Sequence, residues 1–162
     1  METPLECAKT IAKFIRRKFE EYEEKEPTTG KEYLVHVGFL PIANKAEEKK
    51  KLCPAIAIRP LLIEDREDFT LARLSIYVIV FDEDMKQGCE SLYHILQFLR
   101  FHLLTNNPIA ERFQIRIKDD DTMETFVPDE QPWPMWWGRL EFAAYLEQPS
   151  VNRTKKRNEW GR

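Results

Sequence analysis

The chain has 162 residues, 43% hydrophobic and 33% charged, with a formal net charge of −3. That is the make-up of one soluble domain able to bury a sizeable core, and it argues against a general nucleic-acid binder, which needs a basic surplus to hold phosphates. The balance is uneven: residues 150–162 carry +4 and residues 1–149 carry −7, which predicts a single domain over 1–149 and a basic, disordered C-terminal tail over 150–162.

Thr3-Pro4-Leu5-Glu6 has the features of a helix start: a capping hydroxyl, a proline in the first turn and a glutamate at the capping-box position. Leu5, Ala8, Ile11, Ala12, Ile15, Phe19 and Tyr22 follow on one stripe, with Lys9, Lys13, Arg16 and Arg17 on the other, solvated side. Pro27-Thr28-Thr29-Gly30 is a stop. Residues 33–40 read as a first strand, and residues 43–52, rich in Lys and Glu without an apolar stripe, as an exposed loop. Residues 54–63 are a second strand in which Pro60 marks an edge or a bulge. The polar turn at residues 64–68 makes it a hairpin with the third strand, residues 69–81.

That third strand is apolar on both faces, which places it mid-sheet. Asp82 or Asp84 then caps a helix over residues 85–104, whose Met85, Cys89, Leu92, Leu96, Leu99 and Leu103 form the core stripe. Phe98 and Phe101, beside His94, fall on its opposite side, where they need either another part of the chain or a second subunit to cover them. Residues 113–118 alternate as a fourth strand; a long acidic loop leads to Pro132-Trp133-Pro134-Met135-Trp136-Trp137-Gly138, and residues 140–146 make the last strand. The order α-β-β-β-α-β-β predicts an α+β fold: a largely antiparallel sheet of about five strands, joined mostly by hairpins, with two main helices packed on it.

Chemistry-bearing residues are sparse. Asp65, Asp82, Asp84 and Lys86 could hold Mg²⁺ and steady a water, as in metal-dependent nucleases, but acids at this corner are also what a helix N-terminus attracts, and the cap is the favoured reading. Asp119, Asp120, Asp121, Glu124, Asp129 and Glu130 lack the spacing and glycine of a calcium loop and read as a solvated stretch. Trp133, Trp136 and Trp137 offer a stacking platform, a plug over the sheet or an interface. Cys7, Cys53 and Cys89 fit free thiols in a reducing cytoplasm, and neither they nor His36, His94 and His102 have zinc spacing. No nucleophile elbow or phosphate loop occurs. Hence no catalytic, metal or cofactor residue is assigned; a non-enzymatic cytoplasmic adaptor is the third reading beside the nuclease and an assembly protein. Neither a signal peptide nor a membrane span is expected, since no apolar run approaches ~20 residues.

Three stretches in this order, Pro54-Ala55-Ile56-Ala57-Ile58, Gly88-Cys89-Glu90-Ser91-Leu92-Tyr93-His94-Ile95-Leu96 and Pro134-Met135-Trp136-Trp137-Gly138-Arg139-Leu140-Glu141-Phe142, give a chain that resembles the tail terminator (tail completion, head-tail joining) proteins of long-tailed bacteriophages and their prophages, over about residues 5–148. The resemblance implies a virion structural protein, made in the host cytoplasm, that closes as a homo-hexameric ring on the tail tube protein and meets the head-tail connector. It implies no enzyme activity and no cofactor. DNA would slide through the lumen without specific binding, which the acidic body would suit. Ring closure needs heterologous patches, for which Phe98, Phe101, Trp136 and Trp137 are the candidates. The basic tail departs from the family expectation.

Overall fold

In the computed structural model, which describes residues 2–25 and 33–149, the helix start forms as its residues demand. The Thr3 hydroxyl accepts from the Glu6 amide at 3.1 Å, and α1 (Pro4–Lys25) follows. Its stripe Cys7, Ala8, Ile11, Ala12, Ile15 and Phe19 is buried, whereas Leu5 is left exposed at the first turn. The predicted stop at residues 27–30 and the basic tail over 150–162 lie outside the described residues.

The first strand is shorter than its alternation suggests, β1 (Leu34–Val37), and the Lys- and Glu-rich stretch expected as a loop contains a helix, α2 (Ala46–Leu52). Nothing in α2 is buried, so no apolar stripe could announce it. Its first turn is held by the Glu48 carboxylate, which accepts from the backbone N–H groups of Asn44 and Lys45 at 3.2 and 3.4 Å. The chain turns out of β1 at Gly38, whose φ of 97° suits glycine, passes through α2 and enters β2 (Ala55–Asp65) parallel to β1. Parallel neighbours need a long crossover rather than a tight turn, so this connection is an exception to the mostly hairpin layout that the element order predicts.

β2 and β3 (Thr70–Phe81) do form the expected hairpin, with a register shift between Pro60 and Leu62. Pro60 supplies no amide, and the ladder slips past it. After α3 (Met85–Thr105), two short strands, β4 (Ile115–Arg116) and β5 (Glu124–Phe126), lie along one side of β6 (Met135–Leu146). β6 begins at Met135, so Met135, Trp136 and Trp137, expected in a loop, are strand. The sheet order is β1-β2-β3-β6-β4, with β5 also on β6. It is a mixed sheet in which every pairing but β1·β2 is antiparallel.

Both long helices cover the same face of the sheet, α1 over β1 and β2, α3 over β3 and β6. Beneath them lie Ile56 and Ile58, then Ala72, Leu74, Ile76, Val78 and Val80, then Trp136, Leu140, Phe142, Ala144 and Leu146. α3 buries Leu92, Ile95, Leu96, Leu99 and Leu103, with Gly88 at its start. Met85, expected in that stripe, is 68% exposed, because the helix has not yet reached the sheet at its first residue. Gly88 explains how closely it approaches one turn later: a Cβ there would overlap the Trp136 indole, whose Nε1 donates to the Asp82 carbonyl at 2.9 Å.

Gly88→Ala should therefore destabilise the fold by roughly 1–3 kcal/mol, the usual cost of overpacking a filled site, despite alanine's higher helix propensity. Thermal melts monitored by tryptophan fluorescence would show it. Combining Gly88→Ala with Trp136→Phe should cost less than the two changes summed, since the smaller ring frees the space the methyl needs.

Candidate functional site

The acidic corner resolves into a cap. The Asp84 side chain accepts from the amides of Lys86 and Gln87, each at 2.9 Å, and Asp82 accepts from the Asp84 amide at 2.9 Å. Asp65 is elsewhere: it pairs with Thr70 at the start of β3 and accepts from that threonine's hydroxyl at 2.7 Å. A hairpin sets the end of its first strand against the beginning of its second. The sequence reading that put Asp65 near Asp82 had this reversed; the length of β3, about 36 Å at ~3.3 Å per residue, separates them. Asp65, Asp82, Asp84 and Lys86 are thus not one cluster, and among the described residues no group of three or more His, Cys, Asp or Glu is placed to hold a metal ion.

Of the four candidate interface aromatics, two are used inside the subunit. Phe98 is half-buried and stacks on Phe19 of α1 at 4.7 Å between centroids, with Tyr22 edge-on at 5.6 Å. The covering element left open by the sequence is therefore α1. Trp136 is 8% exposed and belongs to the core between α3 and β6. Phe101 remains 56% exposed on α3, one turn past Phe98 but rotated away from α1. Trp137 points to the other side of the sheet, where it lies 6.1 Å from Tyr77. Trp133, also exposed, donates from its indole to the Glu83 carbonyl at 3.1 Å and so fastens the β6 entrance to the corner.

His102 sits in the α1–α3 seam, edge-on to both Phe98 and Phe101 at 4.4 and 5.2 Å. Burial, and then the nearby Lys18 ammonium, hold its imidazole below the usual value of 6.5, with Glu21 opposing.

The face of the sheet turned away from the helices carries charge rather than core. Arg59 lies between the rings of Phe39 and Tyr77, at 4.4 and 4.3 Å. Arg139 pairs with Glu141 at 3.1 Å and lies over Phe126. Towards the β2–β3 turn, Arg73 bridges Glu64 at 3.2 Å and Asp121 at 3.0 Å, and Arg116 contacts Asp121, Asp119 and the Tyr145 hydroxyl. Hydrogen bonds from Arg66 and Arg73 hold the Glu64 carboxyl below the usual carboxylate range. Asp121, read from sequence as part of a solvated stretch, is 6% exposed. Arg73 comes from β3, 48 residues back, while Arg116 lies just before the turn in β4, so the spacing of the acids alone does not reveal it. Between this network and β5 lies a hollow of about 300 Å³, lined by Leu61, Leu62, Arg73, Asp120, Glu124 and Glu141.

The burial pattern adds residues that periodicity alone passes over. Leu61, Leu62 and Ile63, at the distal end of β2, are 47%, 51% and 51% exposed. Three apolar residues in a row are visible in the sequence, but so are the equally apolar Ala55, Ile56, Ala57 and Ile58, all buried; only the length of β1 distinguishes them. Among the described residues no helix is long and apolar enough to cross a membrane. No protein-family model matches the chain, and no curated protein is significantly similar to it.

Two outcomes follow from this geometry. Asp121→Asn should lower Tm by roughly 5 °C or more, since it strips the shared counter-charge from two arginines, whereas Asp120→Asn, on the exposed neighbour, should leave the melt nearly unchanged. His102 makes stability pH-dependent. Its unfolded form binds a proton near 6.5 and its folded form only at lower pH, so stability should fall as pH drops below about 6.5 and level off beneath the folded value. Urea titrations across that range should show the slope, and His102→Gln should flatten it.

Proposed function

We propose that this chain is the tail terminator of a long-tailed phage or prophage. In this reading it closes as a ring on the last ring of the tail tube and offers the joining surface to the head connector. The observation that carries the proposal is the ordered resemblance of three stretches, Pro54 to Ile58, Gly88 to Leu96 and Pro134 to Phe142. In the fold each has a definite mechanical place: the buried half of β2, the close-packed start of α3, and the β6 segment that Gly88 admits. The α+β architecture agrees with what the family implies, and so does the net charge of −7 over residues 1–149, which would repel passing DNA.

The described surface is consistent with work done by contact. The arginines on the outer sheet face are engaged by acids or rings, and large apolar groups remain outside. Phe101, at 56% exposure, is the candidate from the sequence that stays most available to a neighbour. Phe98 and Trp136 are retired from that role because they hold the subunit together.

Mass measurement in solution and with purified tail tubes tests the reading. The expected result is capping of the tubes by rings, after which the tubes join heads. A protein that stays monomeric even on tubes, and leaves them unable to join heads, overturns it. Within that assay Phe101→Ala should weaken capping while shifting Tm by no more than a degree or two, whereas Phe98→Ala should lower Tm clearly, having lost its stack on Phe19.

A further inference from the structure

β2 outruns its neighbour. β1 pairs with it only from Ala55 to Ile58, so from residue 60 to Asp65 one side of β2 has no strand beside it among the described residues. Pro60 begins this free margin and Glu64 and Asp65 end it. Between them Leu61, Leu62 and Ile63 are about half exposed. An open edge with consecutive apolar side chains invites another strand, and proteins blunt such edges with proline, bulges or charge. Here Pro60, the bulge at Leu61 and the closing Glu64 and Asp65 confine the open ladder to Leu62 and Ile63. The opposite margin of the sheet is shared by β4 and β5. Glu124, Thr125 and Phe126 pair with β6 on one side only, all three are exposed, and Phe126 is 47% so.

The directions of these margins fit each other. β2 is antiparallel to β3, β3 to β6, and β6 to β5, so β2 and β5 run oppositely within one subunit. Ring symmetry rotates each subunit by only about 60° for six copies, which preserves that opposition between neighbours. Charge narrows the register: an antiparallel pairing of Leu62 with Phe126 would set Glu64 against Glu124, and like charges directly opposite are destabilising.

We propose that a second copy of this chain docks its β5 margin, residues 122–128, antiparallel along the free β2 margin, residues 60–65, so that one sheet continues from subunit to subunit. This rests on the ring reading above and names the contact that would close it. The areas also say when it forms. Half of three aliphatic side chains and half of Phe126 is on the order of 350 Å² of apolar surface, well under the ~800 Å² per partner of a stable pair. Two free subunits are not held by this contact alone; a subunit seated on a tube, with a neighbour at each margin, uses it twice.

The test uses the full chain with tail tubes. Leu62→Lys/Ile63→Lys should still fold, with Tm lowered by a few degrees because half of each side chain is buried and a lysine at 62 faces Arg73, yet fail to cap tubes. A photo-crosslinking residue at position 62, in mixtures of isotope-labelled and unlabelled chains, should join it between subunits to residues 122–128. Inter-subunit crosslinks to residues 59–65, to a helix or to the tube protein overturn the proposal, as does normal capping by the double-lysine variant. In those cases the ring reading stands and only this contact falls. Absence of any assembly by the parent chain removes both.

Discussion

The register between β3 and β6 is the constraint on which the rest depends. The two strands pair along their whole length, from Thr70 with Leu146 to Phe81 with Met135, and a slip of one residue would exchange their faces. With this register, Ala72, Leu74, Ile76, Val78 and Val80 join Trp136, Leu140, Phe142, Ala144 and Leu146 under the helices. The same register sends Arg73, Tyr77, Trp137 and Arg139 to the other face. Gly138 sits on the helix-covered side opposite Val78, where a Cβ would press on Leu96 of α3. Small residues at Gly88 and Gly138 thus let a helix rich in leucine lie close to a strand rich in aromatics.

Much of the fold was legible because its signals are local. The α1 and α3 stripes, the Thr3 and Asp84 caps and the polar turn between β2 and β3 each depend on residues within a turn or two of one another. The failures share a cause of the opposite kind. Whether β1 pairs parallel or antiparallel depends on the path through α2, a helix with no buried residue. The start of β6 was hidden by two prolines, which break local patterns even though Trp136 is anchored by Asp82, a residue far back in the chain. Asp121 looks like one acid among several because the β3 arginine that helps bury it, Arg73, is 48 residues back in the chain.

The candidate surface was half legible for the same reason. An aromatic on the wrong side of a helix is visible in sequence, but what covers it is not. Phe98 and Phe101 are three residues apart on α3, and only the position of α1 makes one internal and the other external. Likewise the sequence shows apolar runs on both sides of Arg59-Pro60, yet not that β1 stops at Val37 and leaves Leu61, Leu62 and Ile63 outside.

The sheet face turned away from the helices fits the proposed assembling subunit. A bare face of unpaired charge would bind ions and nucleic acid, and a bare apolar face would aggregate. Here the arginines are spoken for: Arg59 by two rings, Arg73 and Arg116 by Asp121, Arg139 by Glu141. The partly exposed Arg139–Glu141 pair adds little stability, whereas losing the buried Asp121 would strand two arginines; all of these pairs keep the charges of the face engaged. What remains adhesive lies at the margins of the sheet and on the outer side of α3. Margins are directional: one presents β2 and the other β5, so joining one to the other is a head-to-tail contact. Head-to-tail contact either closes into a ring or runs on as a helix, and under the proposed reading the geometry of these margins would decide between the two.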